Sequence, residues 1–182
     1  ACDDIYERAA SFDEVYPAIA QRVTALANAD AKVVYAVPGH PRFAERSVIL
    51  LQDLAAEQGI PITVLDAVSF VDVAASAVDS DPIDGGLQIV DAQYLAAVVD
   101  KEPFGAGSLG VDPARPLLVA QLYSQEMAAA VKLALGRVYP EEHPVTLVRA
   151  AGEGETTRSV SLALLDREQP DHLTSLWVAP LA

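Results

Sequence analysis

Cysteine is almost missing from this chain: Cys2 alone permits no intrachain disulfide and no thiolate metal cluster, and makes an intracellular, cytoplasmic setting the default. Long apolar runs are missing too. None approaches the roughly 20 residues needed to span a bilayer, and no basic segment leading into an apolar one opens the chain as a secretion signal would. Positive charge is scarce, with 12 Lys and Arg against 26 Asp and Glu and a net charge of −14. That balance argues against nucleic-acid backbones and anionic membranes as partners. There is no nucleophile elbow of the G-x-S-x-G type and no P-loop. GAGSLG at 105–110 has the spacing of a dinucleotide fingerprint but runs on to Pro113 rather than into a helix, so it reads as loop. Helices rich in carboxylates for magnesium are also missing. His40, His143 and His172 have neither a histidine four residues away nor a cluster of acidic or thiol partners, so no metal site is expected. His143 and His172 read as solvated or capping residues in loops that lead into strands.

What remains is a globular composition. The 182 residues are 52% hydrophobic and 21% charged, enough for one domain or two small ones with a sizeable core. The opening ACDDIYERAAS, without Met, is read as the start of a fragment. Ser11 and Glu14 form an S-x-x-E capping box, and Val15, Ile19, Val23 and Leu26 recur at helical spacing to about Asn28, with Pro17 early in that helix. A strand over 32–37 follows, apolar at consecutive positions as a parallel strand buried on both faces would be. It feeds the turn PGHP, in which Gly39 permits positive φ while Pro38 and Pro41 stiffen the loop. Open α/β sheets bind ligands beyond the carboxyl ends of their strands, where this turn would lie. A rigid strand-to-helix connector is the competing reading, and the residues alone leave the two open.

Residues 43–58 read as a helix with Val48, Leu51, Leu54 and Ala55 on one face and Gly59 as its stop. A second short strand over 61–65, a helix over 68–77 opened at Ser69-Phe70, and a third strand over 87–90 complete an α/β pattern. Ser69 is either the cap of that helix or, with Phe70, a second ligand wall facing the same crevice as PGHP. Residues 100–116, with three Gly and three Pro, are the linker candidate. Beyond it lie a strand over 117–122, a helix over 125–135 with Met127, Val131 and Leu135 in register, and strands over 145–150, 159–165 and 173–178. Three successive strands predict a mixed sheet with antiparallel pairs. The expected division is an incomplete amino-terminal α/β subdomain with linker, residues 1–112, and a carboxyl-terminal α/β subdomain with a mixed sheet, residues 113–182.

The order YAVPGHP, a helix, GIPITVLDAVSFVDVA, DPIDGGLQIVDA, then QLYSQEMAAAVKLALGRVYPEEHPVTLVRAAG and DHLTSLWVAPL resembles the tetrapyrrole (corrin/porphyrin) methylase family, in particular the branch fused to MazG-type nucleotide pyrophosphohydrolases. The resemblance covers nearly the whole chain. It implies an α/β fold of two subdomains with S-adenosylmethionine held in a cleft between them. By that resemblance Val37, Pro38, Gly39 and His40 match the loop against the methionine part of the cofactor, and Ser69-Phe70 the turn after the next strand. Leu122-Tyr123 would pack on adenosine, and Ala150 and Pro180 would complete the pocket. The family usually has Asp where this chain has His40, although PGHP is normal in the MazG-fused branch. Its members also begin with a strand and a G-x-G-P-G loop that this chain does not contain.

The implied activity is methyl transfer from S-adenosylmethionine to a tetrapyrrole or other small planar substrate. No catalytic triad is expected, because alignment of nucleophile and methyl supplies most of the acceleration. The alternative is a non-catalytic ligand-binding or regulatory module attached to a MazG-type domain, a reading that His40 and the acidic surface favour. A chain of this family without its first strand would bare a sheet edge, so a homodimer is expected.

Overall fold

A computed structural model describes residues 2–8, 12–29, 32–102, 109–149 and 156–181. The chain divides into two compact units, Ala1–Phe70 and Val71–Ala182. The boundary expected near residue 112 does not separate them, because the strand before it pairs with the strand after it. The first unit holds α1 (Asp3–Arg8), α2 (Phe12–Asn28) and α3 (Arg46–Glu57). The helical spacing holds in part: Val15, Ile19 and Ala20 of α2 and Val48, Leu51 and Ala55 of α3 are buried and the two helices pack together, whereas Val23 and Leu54 are half-buried and Leu26 is exposed. Gly59, at φ +68°, ends α3 where a side chain would be strained. The Ser11 end of the expected capping box lies outside the described residues, as do positions 150–155.

The two strands expected in the first unit are not formed. Residues 32–37 and 60–69 carry no ladder hydrogen bonds among the described residues. Along 32–37 exposure alternates residue by residue, with Val34 85% exposed, so this run is not buried on both faces. Propensity makes a backbone extend, but a strand exists only where a neighbour offers amides and carbonyls in register. The run is held instead by side chains: the Tyr35 hydroxyl bonds Ser47 Oγ at 2.7 Å, at the buried start of α3.

The second unit comprises α4 (Phe70–Ala77), whose first residue lies at the boundary, β1 (Gln88–Asp91), α5 (Ala92–Lys101), β2 (Leu117–Ala120), α6 (Gln125–Leu135), β3 (Pro144–Arg149), β4 (Thr156–Ser161), a 3-10 helix (Leu162–Arg167) and β5 (Thr174–Val178). The strands make one sheet in the order β1-β2-β5-β3-β4, parallel between β1 and β2 and antiparallel elsewhere. The mixed sheet is as expected. Register places Leu117 and Val119, Leu176 and Val178, and Val145 and Leu147 on one face. All six join the core with Leu95 and Val99 of α5 and Val131 and Leu135 of α6.

Three details differ from expectation. The last expected strand but one stops at Ser161, and Leu162 and Leu165 are buried in the 3-10 helix rather than continuing the ladder. The described part of the linker, 109–116, belongs to the second unit: Leu109 is buried, and the Gln88 amide trades hydrogen bonds with the Asp112 backbone at 2.7 and 2.8 Å. His143 is buried rather than solvated, its ring against Tyr139 and its Nε2 2.8 Å from the Ala179 carbonyl.

Arg22 clamps Asp4 through two hydrogen bonds of 2.6 Å, which tie α1 to α2. The Arg22 hydrogen bond outweighs the opposing effect of burial and holds the Asp4 carboxyl at about 2 instead of 3.8. A depressed carboxyl stabilises above its unfolded value and loses that contribution as pH falls through its folded one. The clamp is therefore complete above about pH 4 and lost toward pH 2. Carbon-detected NMR titration of the Asp4 side chain checks this: R22Q is expected to return its midpoint toward 3.8, and an unchanged midpoint would show that Arg22 is not the cause.

Candidate functional site

In the first unit the structure brings together the two loops singled out in the sequence. Gly39 has φ +74°, which L side chains rarely adopt, and a Cβ there would lie 3.7 Å from the Val68 carbonyl oxygen. Pro38 and Gly39 are exposed, whereas Val37 and His40 are partly covered. The ring of His40 stands edge-on to Phe43 at 5.1 Å, and Phe43 stands edge-on to Phe70 at 6.4 Å. Such T-shaped pairs place the positive edge of one ring on the negative face of the next. Ser69, just before α4, is buried, and Phe70 begins the helix. His40 Nε2 is 3.6 Å from Asp66 Oδ1, an ion-pair distance rather than a hydrogen bond. The Val37–His40 loop thus meets the turn at Val68 and, through Phe43, at Phe70, bringing together exposed glycine backbone, an aromatic row and a solvated carboxylate, with Ser69 itself buried. Phe43 and Asp66 were missed in the sequence. Phe43 follows His40 by one turn, and Asp66 closes the apolar run before Ser69, signals that the spacing to both loops carries.

The second unit has its own polar edge. Because β5 runs against β2 and β3, the carboxyl ends of β1, β2 and β3 lie at one end of the sheet with the amino ends of β4 and β5. There Asp91 caps α5 by accepting from the Gln93 amide, and Ser124 caps α6 by accepting from the Met127 amide. Between β2 and α6, Gln121 is held at φ +61° without being glycine or asparagine. The Tyr123 amide folds back onto the Gln121 carbonyl, and the Leu122 amide bonds the Thr174 carbonyl, both at 3.1 Å. This tight turn buries Leu122 and leaves Tyr123 39% exposed. At the same edge Arg149 reaches Asp171 at 2.7 Å. Burial would raise the Asp171 carboxyl, but hydrogen bonds from Arg149, the Leu173 amide and the Thr174 hydroxyl outweigh it and keep the carboxyl below its ordinary value.

The remaining expected site residues do not gather there. Pro180 follows Val178, which pairs with Leu117 at the start of β2. The antiparallel run of β5 therefore carries Pro180 to the opposite end of the sheet from Tyr123, on the order of 15 Å away at about 3.3 Å per residue. Ala150 lies outside the described residues.

The two units together have an α/β composition with one mixed sheet. Comparison defines it further. The profile of the tetrapyrrole (corrin/porphyrin) methylases matches residues 2–165, and the chain belongs to that family. The uncharacterized protein YabN of Bacillus subtilis (strain 168) is 37% identical over 181 residues, 98% of this chain. The chain spans about a third of that relative's length, 34%. Among solved structures it is similar to the methyltransferase CobJ, with TM-score 0.65, 16% identity, and coverage of 90% of this chain and 72% of that one. It is similar also to uroporphyrin-III-C-methyltransferase from Thermus thermophilus, with TM-score 0.63, 22% identity, and coverage of 89% and 70%. These two likenesses establish the shared fold.

The left-handed Gln121 gives a testable consequence. Strain at a non-glycine left-handed residue is worth about 1 kcal/mol. Q121G is expected to raise the urea-unfolding free energy by about that amount, and a loss of stability would show that Gln121's side chain holds the turn.

Proposed function

We propose that this chain is the methylase portion of an S-adenosylmethionine-dependent methyltransferase acting on a tetrapyrrole or other small planar substrate. The observation that carries the reading is the convergence of the Val37–His40 loop with the Ser69–Phe70 turn, in a chain belonging to the tetrapyrrole methylases. When bound, S-adenosylmethionine would supply an electrophilic methyl group to an acceptor's lone pair, its sulfur serving as the leaving group. The protein then needs to hold donor and acceptor in line and to exclude water, which is worth several orders of magnitude without a proton relay. The residues present fit that demand. Pro38 and Gly39 expose backbone that a cofactor can approach closely, and the Phe43–Phe70 row offers apolar contact. Tyr123, half out of the second unit's tight turn, offers a ring face for a base.

Isothermal titration with S-adenosylmethionine and its demethylated product tests the reading. Binding of at least one with Kd below about 1 mM is expected; failure of both contradicts it. The acidic surface favours the second reading, a ligand-binding regulatory module attached to a MazG-type domain, since a net charge of −14 repels a polycarboxylated tetrapyrrole. Methylated product from a precursor tetrapyrrole excludes that module; cofactor binding without turnover supports it.

The proposal includes self-association through the first unit. Val34 and Leu65, 85% and 76% exposed, and Val68 stand on runs without ladder partners among the described residues, a surface that protein chains ordinarily cover. Light scattering is expected to give the mass of a dimer, and a monomer at high concentration would contradict this.

A further inference from the structure

His40 looks like the reactive group of its loop, a histidine beside a carboxylate, yet its surroundings give it another task. Its side chain is only 15% exposed, although Asp66 beside it is 88% exposed. The Arg42 amide donates to His40 Nδ1 at 3.1 Å, so in the neutral ring the proton is on Nε2, the atom that faces Asp66 Oδ1. The His40 carbonyl in turn accepts from the Phe43 amide at 3.0 Å, so residues 40–43 close on themselves twice. The edge of the ring contact then carries Phe43, and Phe43 carries Phe70. Nδ1 is therefore engaged: its lone pair holds the turn that shapes the loop.

We infer that His40 is a positioning residue and not a base, and that its essential atom is Nδ1 as a turn-closing acceptor. Asn and Asp close turns by accepting the amide two residues on through Oδ1. Nδ1 of histidine stands the same three bonds from Cα as Oδ1 does, so His40 makes the bond that an Asx turn makes. It adds a ring that rests on Phe43. The Pro38–Gly39 backbone is thereby fixed where it meets Val68. The loop keeps its shape without the negative charge that an aspartate would bring.

Three variants separate acceptor from ring. H40N keeps an acceptor and loses the ring, H40F keeps a ring and loses the acceptor, and H40A has neither. The first readout is amide exchange of Arg42 by NMR in the 182-residue chain without ligand. Protection is expected in the parent and in H40N, with exchange about tenfold faster in H40F and H40A, the scale of one lost capping hydrogen bond. The second readout is S-adenosylmethionine affinity, which rests on the function proposed above. It is expected to stay within about twofold in H40N and to fall about tenfold in H40F and H40A. H40F behaving as the parent while H40N fails would overturn the inference in favour of the ring, and H40N behaving as H40A in both readouts would overturn it in favour of a reactive imidazole. If the parent does not bind S-adenosylmethionine, the proposed function fails, and Arg42 exchange alone still decides the role of His40.

Discussion

In the second unit β5 is the strand on which the others depend. It is the last element in the chain, it lies in the middle of the sheet, and all five of its residues are buried. The parallel pair β1–β2 meets the antiparallel pair β3–β4 only through it. Its antiparallel direction decides which ends of the strands are neighbours. It sets Thr174 beside the turn after β2, where the Thr174 carbonyl receives the Leu122 amide, and so fixes the strained Gln121 and the half-exposed Tyr123. The same direction sends Pro180 to the far end of the sheet. One strand direction therefore both builds the polar edge and keeps from it Pro180, which the family resemblance implied for the pocket.

The first unit is held together by other means. No ladder holds residues 32–37 or 60–69 among those described; the Tyr35–Ser47 bond, the α2–α3 core and the row of rings do so. A surface of this kind suits methyl transfer, in which position counts for more than acid–base power. His40 Nδ1, for its part, is committed to the Arg42 amide within its own turn.

Much of the architecture was legible because it follows from local periodicity. The apolar positions of α2, α3 and α6 recur at helical spacing, and α6 spans the expected residues, Gln125–Leu135. The Asp91 cap that begins α5 was equally local, with Leu95 and Val99 one turn apart, and it was overlooked beside the Gly-rich linker. The misreadings are non-local. A run such as VVYAV states that the backbone will extend, but not whether a neighbour is in register. Leu162 and Leu165 continue an apolar pattern that suits a strand as well as a 3-10 helix. For the site, the turns at Gly39 and Ser69 could be seen in the sequence. Their convergence, with Asp66 and Phe43 as the link, is a tertiary fact. His143 shows the same limit: its loop position was legible, but its burial against Tyr139 was not.

On the function proposed, the Val37–His40 loop and the Ser69–Phe70 turn are two parts of one cofactor surface. Titration of the isotopically labelled chain with S-adenosylmethionine, read through backbone amide shifts, tests it most directly. The account predicts that the amides of Gly39, His40, Ser69 and Phe70 move together along a single binding curve. Saturable binding that leaves those four unmoved would contradict it.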